Sequence, residues 1–187
     1  VKNNASLCEA IFEAASEISA RAAELNVSEV KVICMLWQVP FVKWVGFNVA
    51  ATYGPPEKLS VEDIAKLVET GKKEGVALVI DNLQSGVELG SQIASEVGAQ
   101  HVVLTNFPGS LPDAPDYVSM LKYNAEQLFG AVERWRVLSE VGAEVLRLKG
   151  ELGAVRGQMD ILMALCIVLG IVVGVESVFL YARRGQH

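Results

Sequence analysis

Histidine is nearly absent from this chain of 187 residues, which holds only His101 and His187. That scarcity excludes a histidine-rich metal site built from this chain alone. Cysteine is also sparse: Cys8, Cys34 and Cys166 make up the set, and Cys166 falls in an apolar run, so no disulfide framework is implied. Basic stripes are missing too. With a net charge of −6 and a pI near 5.0, the chain does not carry the electrostatic footprint of a nucleic-acid binder. No Walker A loop, G-x-G-x-x-G, C-x-x-C, H-E-x-x-H or G-x-S-x-G occurs, and no nucleophile–base pair or cofactor loop is visible. The expectation is a protein that is not an enzyme.

What the chain has in abundance is apolar sequence near its end. Ile161 to Ala182 is interrupted by one charge, Glu176, and is followed at once by Arg183 and Arg184. About 20 apolar residues span a hydrocarbon core, and the arginines have the place of a stop-transfer flank. A single-pass transmembrane helix is expected over residues 158–184; Arg183 and Arg184 favour a short cytoplasmic tail, while Arg147, Lys149 and Arg156 flank the other side. Glu176 lies within two turns of Arg183, close enough to snorkel toward the interface. Gly170 and Gly174 form a G-x-x-x-G, spaced either for helix association in the membrane or as ordinary membrane-helix glycines. Upstream, Leu138, Val141, Val145, Leu148, Leu152, Val155 and Met159 step by alternating threes and fours. That is a heptad seam, read as a helical stalk over 134–157. Gly142, Gly150, Gly153 and Gly157 weaken it by about 1 kcal/mol each against alanine, so the stalk is expected to need a partner.

The rest alternates helix and strand. Leu7, Ile11, Ala15, Ile18, Ala22 and Leu25 recur at helical spacing and predict a helix over 1–27, ended by Asn26. Strands are expected at Val30–Leu36, Phe47–Ala51, Val76–Ile80 and His101–Leu104. Helices are expected over Pro40–Val45, from a Ser60 cap with Asp63 to a Gly75 stop, over Ser85–Val97, and from Asp116 onward. This pattern predicts an α/β fold: a four-stranded, mainly parallel sheet flanked by helices in a lobe over 28–133. Ligands of such sheets sit at the carboxyl ends of the strands. Four residues there are candidates for solute binding. Asp81 is either a ligand-facing carboxylate or a loop or cap aspartate. Met35, with Cys34, is either a soft metal ligand or core. Gln38 and Asn106 either bind a solute or stabilise turns. His101 is read as structural. The chain opens on Val1 without a secretory signal, as a mature or truncated product would.

Four stretches carry a family resemblance: Leu59-Ser-Val-Glu-Asp-Ile-Ala-Lys-Leu-Val68, Lys72 to Ile80, Ile93 to Leu104, and Asp116-Tyr-Val-Ser-Met-Leu-Lys-Tyr-Asn-Ala-Glu-Gln-Leu128. With them, residues 3–133 resemble the C-terminal lobe of solute-binding proteins of zinc- and manganese-type ABC importers. The helix beginning near Asn4-Ala5 resembles the one that joins the two lobes of those proteins. The resemblance implies an extracytoplasmic lobe, an ABC permease as partner and a missing N-terminal lobe. It also implies a degenerate metal site. Met35 stands near the family's histidine, Lys58 near an acidic or histidine ligand, and Asn106, beside Thr105, near its late aspartate. Only Asp81 matches an acidic position, so zinc or manganese could be held only with ligands from the other lobe. The expectation is a membrane-anchored solute-binding component. The alternative is a degenerate lobe serving as a tethered interaction module, oligomerising through stalk and anchor.

Overall fold

The structure, a computed structural model, describes the backbone of residues 2–184 and the side chains of residues 5–171, 173 and 174. The expectations placed on Glu176, Arg183, Arg184 and His187 fall on side chains outside that set. The chain divides into two compact units, 1–138 and 139–187.

The first unit is built on four short parallel strands, β1 (Lys31–Met35), β2 (Asn48–Tyr53), β3 (Leu78–Asn82) and β4 (Gln100–Leu104), in the order β2-β1-β3-β4. The helices are α1 (Lys2–Glu24), α2 (Val39–Val45), α3 (Val61–Glu74), α4 (Glu88–Val97) and α5 (Tyr117–Arg184). Right-handed crossovers explain which face each helix covers. The step from β1 to β2 goes one way along the sheet and lays α2 on one face. The steps to β3 and β4 go the other way and lay α3 and α4 on the opposite face. The direction of winding reverses between β1 and β3, which makes the crevice beyond their carboxyl ends the natural ligand position.

Alternation along each strand divides the core in two. Val32, Cys34, Leu78, Ile80, Val102 and Leu104 meet Ile18, Ala22 and Leu25 of α1 and Ala125, Leu128, Phe129 and Val132 of α5. Ile33, Met35, Tyr53 and Val79 meet Leu67 and Val68 of α3 and Ile93 and Ala94 of α4. Of the helical stripe read in α1, the later residues Ile18, Ala22 and Leu25 are buried, while Leu7 is half exposed.

Local chemistry sets the boundaries. Ser60 accepts from the Asp63 backbone N–H while Asp63 accepts from that of Ser60, a complete capping box. Gly75 ends α3 at φ 64°, a left-handed turn that suits a residue without Cβ. Asn26 stops α1 the same way at φ 45°, as its sequence position suggests. Several boundaries differ from the sequence reading: β2 runs on to Tyr53 rather than ending at Ala51, and α1 ends at Glu24. The third strand is displaced by two residues, to Leu78–Asn82, because Val76 and Ala77 lead into the sheet while Asp81 and Asn82 pair with β4. Residues 83–85 form a separate 3-10 turn, so α4 begins at Glu88.

In the second unit the described side chains of α5 are exposed. The helix is long and apolar enough, by length and composition, to cross a membrane.

Candidate functional site

A cleft of about 620 Å³ opens beside the carboxyl ends of β1 and β4. The 3-10 turn after β1 contributes Trp37 and Gln38, and α2 contributes Phe41 and Trp44. The residues after β4 contribute Thr105 and Asn106. Phe12 of α1 and Tyr117 and Asn124 of α5 complete its rim and wall. Phe41 and Trp44 pack with ring centroids 5.8 Å apart. Phe12 and Trp37 are more than half exposed, at 76 and 54 %, and Trp44 and Tyr117 just under half, at 48 and 49 %. Exposed aromatic surface is thus gathered at one opening, a feature common to contact sites.

The polar part of the cleft is held rigidly. Asn124 is buried and clamps the Thr105 backbone from both sides: its Nδ2 donates to the Thr105 carbonyl at 2.8 Å, and its Oδ1 accepts from the Thr105 N–H at 3.1 Å. Gln84, in the turn after β3, donates to Thr105 Oγ1 at 2.8 Å and accepts from the Asn106 N–H at 3.3 Å. The Thr105 hydroxyl also meets Ser110 Oγ at 2.7 Å. The loop after β4 is thus tied both to the preceding strand's turn and to α5. Gln38 is different. It is 1 % exposed, and its Nε2 has no hydrogen-bond partner among the described residues. An unpaired buried amide costs about 1–3 kcal/mol, which makes Gln38 the one buried polar side chain left unsatisfied among the described residues lining the cleft.

Of the four sequence candidates, the structure brings Gln38 and Asn106 together in this cleft and places Met35 and Asp81 elsewhere. Met35 is fully buried among Ile33, Tyr53 and Val79 on the other face of the sheet. Cys34 points the opposite way, into the α1–α5 core, so the two sulfurs cannot share a ligand. Burial, with the Asp81 charge adding to it, pushes the Cys34 thiol up to about 12. Asp81, open in the sequence between a ligand-facing carboxylate and a loop or cap aspartate, falls within the strand once β3 extends to Asn82. Asp81 lies inside β3, 1 % exposed, where Tyr53 donates its hydroxyl to Oδ1 and His101 Nε2 sits 2.7 Å from Oδ2. Burial and then Asp81 push the Tyr53 phenol above its ordinary value. Against this carboxylate lies Gly90 of α4, where a Cβ would meet Asp81 Oδ2 at 2.0 Å. His101 is therefore a partner of Asp81. Among the described residues there is no group of three or more histidine, cysteine or acidic side chains that could hold a metal ion.

The sequence reading did not identify Asn124 or Gln84 as site residues. Asn124 stood in the Asp116–Leu128 stretch quoted for its family pattern, which was a usable signal. Gln84 had none, since only the folded turn brings it to Thr105.

Residues 2–131 match the family model ZnuA, described as zinc-uptake complex component A periplasmic. Several solved structures share the fold. One is the Cd-bound periplasmic metal binding protein from candidatus liberibacter asiaticus, at TM-score 0.58 and 16 % identity, covering 70 % of this chain and 50 % of that one. The Mn-bound form of the protein from that organism gives TM-score 0.57 and 15 % identity over the same shares. The SBP FpvC from P. aeruginosa in complex with Ni2+ gives 0.59 and 14 %, covering 71 % of this chain and 50 % of that one. This chain therefore spans about half the length of the structures it resembles. No curated protein matches it.

Proposed function

Because the chain belongs to the family of the zinc-uptake complex component A, periplasmic, we propose that it is a lobe of the solute-binding component of a metal-type ABC importer, tethered to the membrane by α5. The observation that carries this reading is the cleft beside the ends of β1 and β4. It opens at the carboxyl ends of the strands, the side on which ligands of such sheets sit, it is rimmed by exposed aromatics, and it holds a buried amide without a partner among the described residues. In this role the lobe does no covalent chemistry. A second lobe closes over the cleft, the aromatic rim meets it, and Gln38 and Asn106 offer hydrogen bonds to the trapped solute. The clamp of Asn124 on Thr105 keeps the floor fixed while the lobes move.

A zinc or manganese solute would need its ligands from the other lobe, since the described residues here gather no metal-binding cluster. Met35 and Asp81 then act through the structure behind the cleft, with Asp81 holding Tyr53 and His101. The tether keeps the lobe outside the cell and close to its permease.

The test has two parts. Carbonate extraction of native membranes should leave the protein in the pellet; release into the supernatant would overturn the tether. Uptake of radiolabelled zinc and manganese into cells should fall with Gln38→Ala and Asn106→Ala, at unchanged protein level. The absence of a metal cluster among the described residues favours a second reading, an interaction module without transport. Unchanged uptake in both variants and in a strain lacking the protein would select it.

A further inference from the structure

The second unit carries an apolar seam whose flanking charges specify what covers it. In α5, Val145, Leu152, Met159 and Cys166 fall on one heptad position, a, and Val141, Leu148, Val155, Leu162 and Leu169 on the other, d. All are exposed along the helix. The positions beside the seam are sorted by sign. Glu144 and Glu151 precede the a residues, at g. Lys149 and Arg156 follow the d residues, at e. When two such helices lie parallel and in register, each g residue faces the e residue five places on in its neighbour. Glu144 then faces Lys149, and Glu151 faces Arg156, in both directions across the pair. An antiparallel pair would set glutamate against glutamate and lysine against arginine.

Within the single chain these groups are half used. Arg147 binds Glu144 at 2.6 Å and Glu151 at 2.5 Å along its own helix. Lys149 and Arg156 make no ion pair or hydrogen bond among the described residues. A carboxylate has about four acceptor sites, so both glutamates can keep Arg147 and still accept from a neighbour. The glycines that weaken the stalk also fit this geometry. Gly142, Gly150, Gly153 and Gly157 all lie off the a and d positions, and space beside each is open.

We infer that the stalk of this protein pairs with a second copy of itself as a parallel, in-register coiled coil through Val141–Met159, with Glu144 opposite Lys149 and Glu151 opposite Arg156 of the neighbour. The pairing is independent of which solute the lobe takes. Exposed ion pairs are individually weak, so they set orientation and partner choice while the apolar seam supplies the association. Confinement of two copies to one membrane raises their effective concentration and supports a short seam.

The full chain in native membranes, with Cys8→Ser and Cys166→Ser, tests this by oxidative cross-linking. Val141→Cys and Val155→Cys, each alone, should both yield a disulfide dimer, because only parallel register brings two separate d positions onto themselves. Gly150→Cys, on the outer face, should not. Equal cross-linking at position 150, or cross-linking at only one d position, would overturn the inference. Retaining the native Cys166 in a Cys8→Ser chain gives a second measurement without touching the stalk, and a dimer is expected there too. Lys149→Glu with Arg156→Glu should lower the cross-linking rate several-fold, and adding Glu144→Lys with Glu151→Lys should restore it. Failure of that rescue would also overturn the assigned charge pairs.

Discussion

Gly90→Ala is the sharpest test of the buried carboxylate. A Cβ at Gly90 would sit 2.0 Å from Asp81 Oδ2, 2.5 Å from Cγ and 2.8 Å from Oδ1. Asp81 cannot simply rotate away, since its two oxygens are held by Tyr53 and His101. Either α4 lifts from the sheet or the carboxylate leaves its partners. Overpacking of this kind costs about 1–3 kcal/mol, and each hydrogen bond to a charged group lost adds about 1.5–3 kcal/mol. Alanine returns about 1 kcal/mol through helix propensity. The net expectation is a loss of about 2–4 kcal/mol. Urea unfolding of the detergent-solubilised chain, followed by tryptophan fluorescence, reads the right unit, because Trp37, Trp44 and Trp135 all lie in residues 1–138. The decisive comparison is with Asp81→Ala. That variant is itself destabilised, but it empties the space beside Gly90. In its background Gly90→Ala should be neutral or stabilising by about 1 kcal/mol. Equal losses in both backgrounds would refute the contact as the cause.

Gln38→Met should raise the stability of the isolated chain by about 1–2 kcal/mol, because it removes an unpaired buried amide at similar volume; a loss measured in the same urea titration would mean that the amide is already satisfied. Asn124→Ala leaves both Thr105 backbone groups without their clamp and should cost about 2–4 kcal/mol, with faster amide exchange in residues 105–110 as the local signature. Alkaline stability should decline from about pH 9. The Cys34 thiol is raised from 9.0 to about 12 in the folded chain, so the unfolded state loses its proton first and gains population as pH rises across that interval. Tyr53, raised by burial from 10.0, steepens the decline above about pH 10. Cys34→Val should move the onset to about pH 10 and Tyr53→Phe should remove the added slope. A native thiol reagent should label Cys8, which is exposed, and spare Cys34, which is buried.

The elements of the first unit were legible because their signals are local. Ser60 with Asp63 three residues later, Gly75 after the last helical residue, and Asn26 at the end of an amphipathic stripe each act through their own neighbours. The third strand was misplaced because its apolar run, Val76 to Ile80, does not say where pairing begins. Its register is fixed by contacts with β4, such as Leu78 with Gln100 and Asn82 with Leu104, and those are invisible along the sequence. That two-residue shift carried Asp81 from the strand's end to its interior. The place of Gln38 and Asn106 in the lining of the cleft was readable because each closely follows a strand. Asn124 and Gln84 act on Thr105 across 19 and 21 positions of chain, and no periodicity marks a hydrogen bond of that range.

The position of Asp81 also bears on why a fold of this family can stand without a metal cluster among its described residues. Its carboxylate turns away from the cleft, toward α3 and α4, and there it joins β2, β3 and β4 through Tyr53 and His101. A buried carboxylate in that place is useful to the sheet only while it is fully partnered, since removing one partner leaves an uncompensated charge. In this structure both of its oxygens are engaged within the sheet, by Tyr53 of β2 and His101 of β4. The cleft on the other side keeps its shape by neutral groups instead: two amides, a hydroxyl and the backbone of Thr105. These hold the floor without drawing a counter-charge, so the rigid geometry around Thr105, with the Asn124 clamp at its centre, does not depend on a metal-binding cluster.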